Sequence, residues 1–127
     1  MVSFRGASAD AMAALTDLVG GVAEASAAKV AGELFSAAGA FRSEAALRRV
    51  VTDQSVPAEA RSGLVSDLFS GKVDAATLGV LREAAGRRWT RTRDLADALE
   101  QLGVVAAVRS VGLQAGTLVD ELFAVRQ

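Results

Sequence analysis

With 127 residues, the chain has enough sequence for one domain and one core. Its formal charge of −1 gives no general field for nucleic acid or an anionic membrane, and the absence of Cys excludes a disulfide framework, thiolate chemistry and sulfur-ligated metal. Hydrophobic residues make up 51%, but much of that share is Ala and only 5% is aromatic, which favours closely packed helices over a sheet.

In chain order, Ser8 reads as an N-cap with Asp10 in the first turn. Met12, Leu15, Val19 and Val22 follow at helical spacing, and Gly20-Gly21 weakens the end of this helix. A second helix carries Val30, Leu34, Ala37 and Phe41 on one face. Ser43 breaks it and caps a short helix with Leu47, Val50 and Val51. Asp53 to Pro57 is a turn, because Pro57 forces Val56 out of the helical region. The next helix pairs Leu64 with Leu68 and Val65 with Phe69, and stops at Gly71.

Asp74 caps a fifth helix whose inner face is Leu78, Leu81, Ala85 and Trp89. Thr90 or Thr92 caps a long sixth helix with Leu95, Leu99, Leu102 and Ala106 in line. Gly103 and Gly112 each cost about 1 kcal/mol inside a helix, so bending or fraying is expected there. Gly116 followed by Thr117 reads as a stop and a restart, with Asp120 three residues on. The pattern predicts an all-α bundle over residues 1–116. Residues 117–127 are expected to be the start of a further, truncated segment. The expected core is Leu34, Phe41, Leu47, Leu64, Leu68, Leu78, Leu81, Leu95, Leu99 and Leu102.

Val30 to Ala37 is echoed by Leu118 to Val125, which fits either an internal duplication or the chance recurrence of an acid-Leu-Phe phrase seen again at Asp67-Leu68-Phe69. Charges interrupt every apolar run, and the uncharged segment between Arg109 and Asp120 falls short of the ~20 residues of a membrane span. Met1 to Asp10 has no apolar signal-peptide core. A soluble, cytoplasmic protein without direct membrane insertion is expected.

The chain lacks His, Cys and Tyr, so catalysis would rest on carboxylates, Lys29, Lys72, Ser or Thr. Asp94-Asp97 and Asp120-Glu121 read as exposed helix positions, where carboxylates stay ionised and gain no general-acid character. Asp67 and Asp74 do not form a calcium loop, and Gly71-Lys72 lacks the glycine loop of a phosphate site. No catalytic, cofactor or metal residue is expected. The run Arg82, Arg87, Arg88, Arg91 and Arg93 around Trp89 admits a small nucleic-acid-binding module. Glu83, Asp94 and Asp97 offset its charge, and Trp89 continues an apolar row as a core plug. The Ala-rich face around Ala9, Ala13 and Ala14 fits an amphipathic partner helix or ordinary packing within the bundle.

Several phrases in order resemble one family. They are Glu33-Leu34-Phe35-Ser36-Ala37, Ala46-Leu47-Arg48-Arg49-Val50-Val51-Thr52-Asp53, Leu68-Phe69-Ser70-Gly71-Lys72-Val73, Arg88-Trp89-Thr90, and Arg93-Asp94-Leu95-Ala96-Asp97-Ala98-Leu99-Glu100. From about Gly6 onward the chain resembles the delta subunit of bacterial F-type ATP synthases, the counterpart of the mitochondrial oligomycin-sensitivity-conferring protein, in its actinobacterial form. The resemblance implies a six-helix N-terminal bundle in the peripheral stalk, the stator that supports proton-driven ATP synthesis at the inner face of the cell membrane. It also implies a groove between the first and fifth helices that grips the N-terminal helix of an alpha subunit. Carried onto this chain, that groove comprises Ala11, Met12, Leu15, Thr16, Val19, Leu78, Leu81, Arg82 and Ala85. The family's C-terminal part, which joins the b subunit, is expected to lie beyond Gln127.

Overall fold

The computed structural model describes residues 4–126, with side chains described as far as residue 112. Among these residues every regular element is helical, as the composition requires. Helix α1 spans Ala7–Gly20, α2 Ala27–Ser43, α3 Ala45–Val51, α4 Ala58–Phe69, α5 Ala75–Gly86 and α6 Asp94–Arg126, with a short 3₁₀ turn at Glu24–Ser26. Helices α2 and α6 form the central pair. Helices α4 and α5 make an antiparallel hairpin beside it, and α1 packs on both α5 and α6.

The core follows the aliphatic periodicity. Leu15 and Val19 of α1, Val30, Leu34 and Phe41 of α2, Val65 of α4, and Leu95, Leu99 and Leu102 of α6 are fully buried. Each such side chain contributes roughly 1.5–3 kcal/mol through lost apolar exposure. Phe41 and Phe69 meet with ring centroids 6.1 Å apart, joining α2 to the end of α4. Four expected core residues depart from this pattern. Leu47 and Leu64 are half-buried against the core, Leu78 is half-buried, and Leu68 is 38% exposed. Leu64 and Leu68 lie on α4, an edge helix that buries only Arg61 and Val65 completely, and Leu47 lies on the short α3, which buries only Val51. The inner face of α5 is likewise rotated from the expected row, to Thr77, Val80, Leu81, Ala84 and Ala85.

Helix ends also differ from their local sequence signals. Asp74 does cap α5, its carboxylate accepting from Ala76 N at 2.9 Å. Gly71 ends the α4 turn at φ 77°, a conformation only glycine adopts without strain. Ser8, however, lies inside α1, and Gly6 at φ 57° is the N-cap. Ser43 is the last residue of α2, its hydroxyl bonded back to Gly39 O at 2.9 Å instead of capping α3. Helix α6 continues through Gly103, Gly112 and Gly116 to Arg126, so residues after Thr117 are helical without the expected stop at Gly116. Glycine lowers helix propensity but does not forbid helix. The expected echo at Leu118–Val125 and the pair Asp120-Glu121 lie outside the described side chains.

Candidate partner-docking surface

Helix α5 is held at both ends by charged side chains from other helices. At its start, Glu33 of α2 accepts from Asp74 N at 3.0 Å and from Thr77 Oγ1 at 2.7 Å. At its end, the buried Arg61 of α4 donates through Nε to Ala85 O at 2.8 Å and through Nη2 to Gly86 O at 3.3 Å. Its Nη1 reaches Asp53 O and Val56 O in the preceding turn. A carboxylate thus faces the positive end of the helix dipole and a guanidinium the negative end. Neither residue carries a local sequence signal for this role, because both partners are distant in the chain.

The junction between α5 and α6 locks the start of α1. Ser8 Oγ donates to Asp94 Oδ2 at 2.7 Å and accepts from Thr90 N at 2.7 Å. Thr90 Oγ1 in turn accepts from Ser8 N at 3.3 Å and donates to Arg5 O at 2.8 Å. Thr90 therefore serves α1 rather than capping α6. Asp94, read from sequence as an exposed carboxylate, is only 2% exposed. It is tied to Ser8 and to Arg91, whose Nε lies 3.6 Å from Oδ1. Asp97 instead faces Arg42, so the two carboxylates do not act on one site. Trp89 is 3% exposed and donates from Nε1 to Ala84 O at 2.9 Å, which makes it a plug and not a stacking platform.

Partners inside the domain engage much of the basic run. Arg87 pairs with Glu83 at 2.8 Å, Arg88 donates to Gln54 Oε1 at 3.0 Å, and Arg91 pairs with Asp94. Arg82 and Arg93 are exposed. Among the described residues no group of three or more His, Cys, Asp or Glu could hold a metal ion. No helix of the described residues is long and apolar enough to cross a membrane.

Between α1 and the end of α5 runs a furrow of about 380 Å³, lined by Ala7, Asp10, Ala11, Gly86, Arg87 and Arg88. Of the nine residues assigned to the groove, Ala11, Met12, Leu15, Val19, Leu81 and Ala85 are buried, so they form the seam that joins α1 and α5 to the core. At 100° per residue, Ala7, Ala11, Ala14 and Leu18 share the furrow flank of α1. Thr16 falls on the opposite flank, with Ala9 and Ala13, and its hydroxyl bonds back to Met12 O at 2.7 Å. Arg82 is exposed and its carbonyl accepts from Ser62 of α4, while Leu78 is half-buried. The periodicity of α1 does mark the open flank, through the small residues at 7, 11 and 14 and Leu18, which is 43% exposed.

The fold and the furrow define a small all-helical domain that presents helix surface and no assembled group of reactive side chains among its described residues. The comparisons with known proteins bear directly on this class. The chain is 53% identical to ATP synthase subunit delta of Nocardioides over 98% of its length, covering 46% of that protein. It is 43% identical to the delta subunit of Corynebacterium diphtheriae over 78% of its length, and 36% identical to that of Rhodococcus opacus over 87%, covering 37% and 40% of those proteins. No family model matches the chain. The chain is a homologue of actinobacterial ATP synthase delta subunits, and it spans less than half the length of the relatives it matches.

Proposed function

We propose that this chain is a non-catalytic part of the peripheral stalk of an F-type ATP synthase, and that it binds the N-terminal helix of an alpha subunit in the furrow between α1 and α5. The observation that carries the reading is the 53% identity to a delta subunit across nearly the whole chain. The surface suits the role. Small, half-buried residues at Ala7 and Ala14 leave room for a helix backbone, and Leu18 offers an apolar contact. The bundle is stiffened where it would be loaded, because α5 is clamped by Glu33 and Arg61 and α1 is tied to the α5–α6 junction by Ser8. A stator works by resisting torque, which asks for rigid packing and slow dissociation rather than chemistry. In this reading the domain sits on the catalytic head at the inner face of the membrane. A b subunit is the second partner in this reading, outside the part of a delta subunit that this chain matches.

A peptide copying the N-terminal helix of an alpha subunit tests this by calorimetry. Binding at micromolar concentration is expected. Ala14→Asp, a half-buried small position on the furrow flank, should weaken it at least tenfold, or about 1.4 kcal/mol, with helicity and melting near normal. Ala11 is unsuitable for that test, because at 2% exposure a carboxylate there would enter the core. No binding by the wild type would overturn the proposal, and equal binding by the variant would move the docking site off this flank.

A further inference from the structure

The two rims of the α1–α5 furrow differ in charge. Helix α1 carries Asp10 and Asp17 and no basic residue between Ala7 and Gly20. These two acids are seven residues apart, about two turns, so they stand on one edge just outside the row Ala7, Ala11, Ala14 and Leu18. The facing rim holds Arg87 and Arg88. Arg87 is neutralised by Glu83, but Arg88 bonds only to the neutral amide of Gln54 among the described residues, so its charge remains to be matched. We infer that the oppositely charged rims fix the direction in which a partner helix lies in the furrow.

Given the docking in the furrow proposed above, the direction follows from geometry. An amphipathic helix laid apolar side down presents one flank to each rim. If one flank is basic and the other acidic, a single N-to-C direction places the basic flank over Asp10 and Asp17 and the acidic flank over Arg88. Turning the helix end for end exchanges the flanks and sets like charges against each other at every rim contact. Asp10, Arg87 and Arg88 line the furrow beside the start of α1, and Asp17 continues the acidic edge about 10 Å further along the helix, so a partner of three or more turns meets both rims at one end and the acidic edge at the other. Apolar burial is indifferent to this reversal, so direction is decided by the rims. The occupant is therefore an amphipathic helix with basic residues along one flank and a carboxylate on the other.

The absence of Cys in the chain allows a direct readout of direction. Arg5→Cys precedes α1 and Gly20→Cys ends it. Both positions are exposed, and a Cβ at Gly20 meets nothing within 4 Å. A synthetic amphipathic peptide with a Lys flank, a Glu flank and an N-terminal Cys should form its disulfide with one of these positions about tenfold more readily than with the other. A second peptide with the flanks exchanged should show the opposite preference. The double variant Asp17→Lys/Arg88→Glu leaves the α1 rim without net charge and turns the facing rim acidic, so it should remove or invert both preferences, and about 0.5 M salt should erode them. Asp17 lies in the last turn of α1, where a cation suits the helix dipole, so that change does not threaten the fold. If both peptides bind in the same direction, or in mixed directions regardless of the variant, the inference is overturned while the docking site stands. If neither peptide binds, the docking reading fails and the inference with it.

Discussion

Arg61 shows how much one side chain can organise here. It is 4% exposed and carries a full charge without a carboxylate partner, a situation that ordinarily costs several kcal/mol. Its partners are the carbonyls left over at the end of α5 together with those of the Asp53–Val56 turn. The negative end of a helix dipole and five carbonyl oxygens, Arg87 O among them, replace the lost water. Arg61→Met keeps the length and loses the fork, leaving those carbonyls unpaired at a cost of about 2–4 kcal/mol. Its melting midpoint should fall by roughly 10 °C or more, and Arg61→Lys should recover only part, because an ammonium cannot reach both segments. A midpoint within a degree or two of wild type would show that the guanidinium is replaceable by water. Asp94 has the same logic with the sign reversed, since Ser8 Oγ and Arg91 N supply donors to a buried carboxylate.

At the scale of elements, glycines separate helix propensity from packing. Gly39 lies in the interior of α2, and an added Cβ would meet nothing within 4 Å. Gly39→Ala should therefore stabilise by about 0.5–1 kcal/mol. Gly103 sits in α6 at the crossing with α2, where a Cβ would fall 2.9 Å from the ring of Phe35. Gly103 thus makes room for the ring of Phe35, which is 40% exposed on α2. Gly103→Ala should gain nothing, because the propensity term is offset by displacement of the Phe35 ring. Denaturant melts of the two variants decide it, and an equal gain in both would mean the ring swings aside freely. The α4–α5 hairpin is the complementary case, with Gly86 so close to Ser62 that a Cβ would sit 3.0 Å from its hydroxyl.

For the whole molecule, the central α2–α6 pair is laced on its outside by Arg42, which donates to Glu100 at 2.8 Å and Asp97 at 2.9 Å. The hydrogen bond from Arg42, with its positive charge, holds Glu100 below the usual carboxylate range. The hydroxyl and amide of Ser55 do the same for Asp53 in the α3–α4 turn. Groups whose folded pKa is depressed contribute stability that is present above their ordinary value near 4 and is lost as pH falls through the folded value. The chain has no His, so no side chain of ordinary pKa titrates between pH 5 and 8. The melting midpoint should be flat across that window and should decline below about pH 4. Arg42→Ala should flatten part of the decline, and high salt should do likewise by screening the exposed pairs. A step near pH 6 would contradict this account.

Local chemistry in the sequence determined the helical class, the six helices and most of their limits. Helix periodicity and caps such as Asp74 depend on residues within a few positions of each other, and glycine at Gly71 acts on its own backbone. The same locality made Trp89 legible as a plug and α1 as a helix with a small-residue face. Only the tertiary structure decided how α1 lies against α5, and it buries Met12, Leu15 and Val19 of the assigned groove while leaving Thr16 half-buried on the other flank. It also decided the long-range partners: Thr90 serving α1 while Ser8 reaches Asp94, and Glu33 and Arg61 closing the two ends of α5. A hydroxyl or carboxylate near a helix end looks like a cap for its own helix in sequence. In the fold it bonds whichever unsatisfied backbone group packing brings within 3 Å or so, and that group can lie more than 80 residues away, as Thr90 N does from Ser8 Oγ.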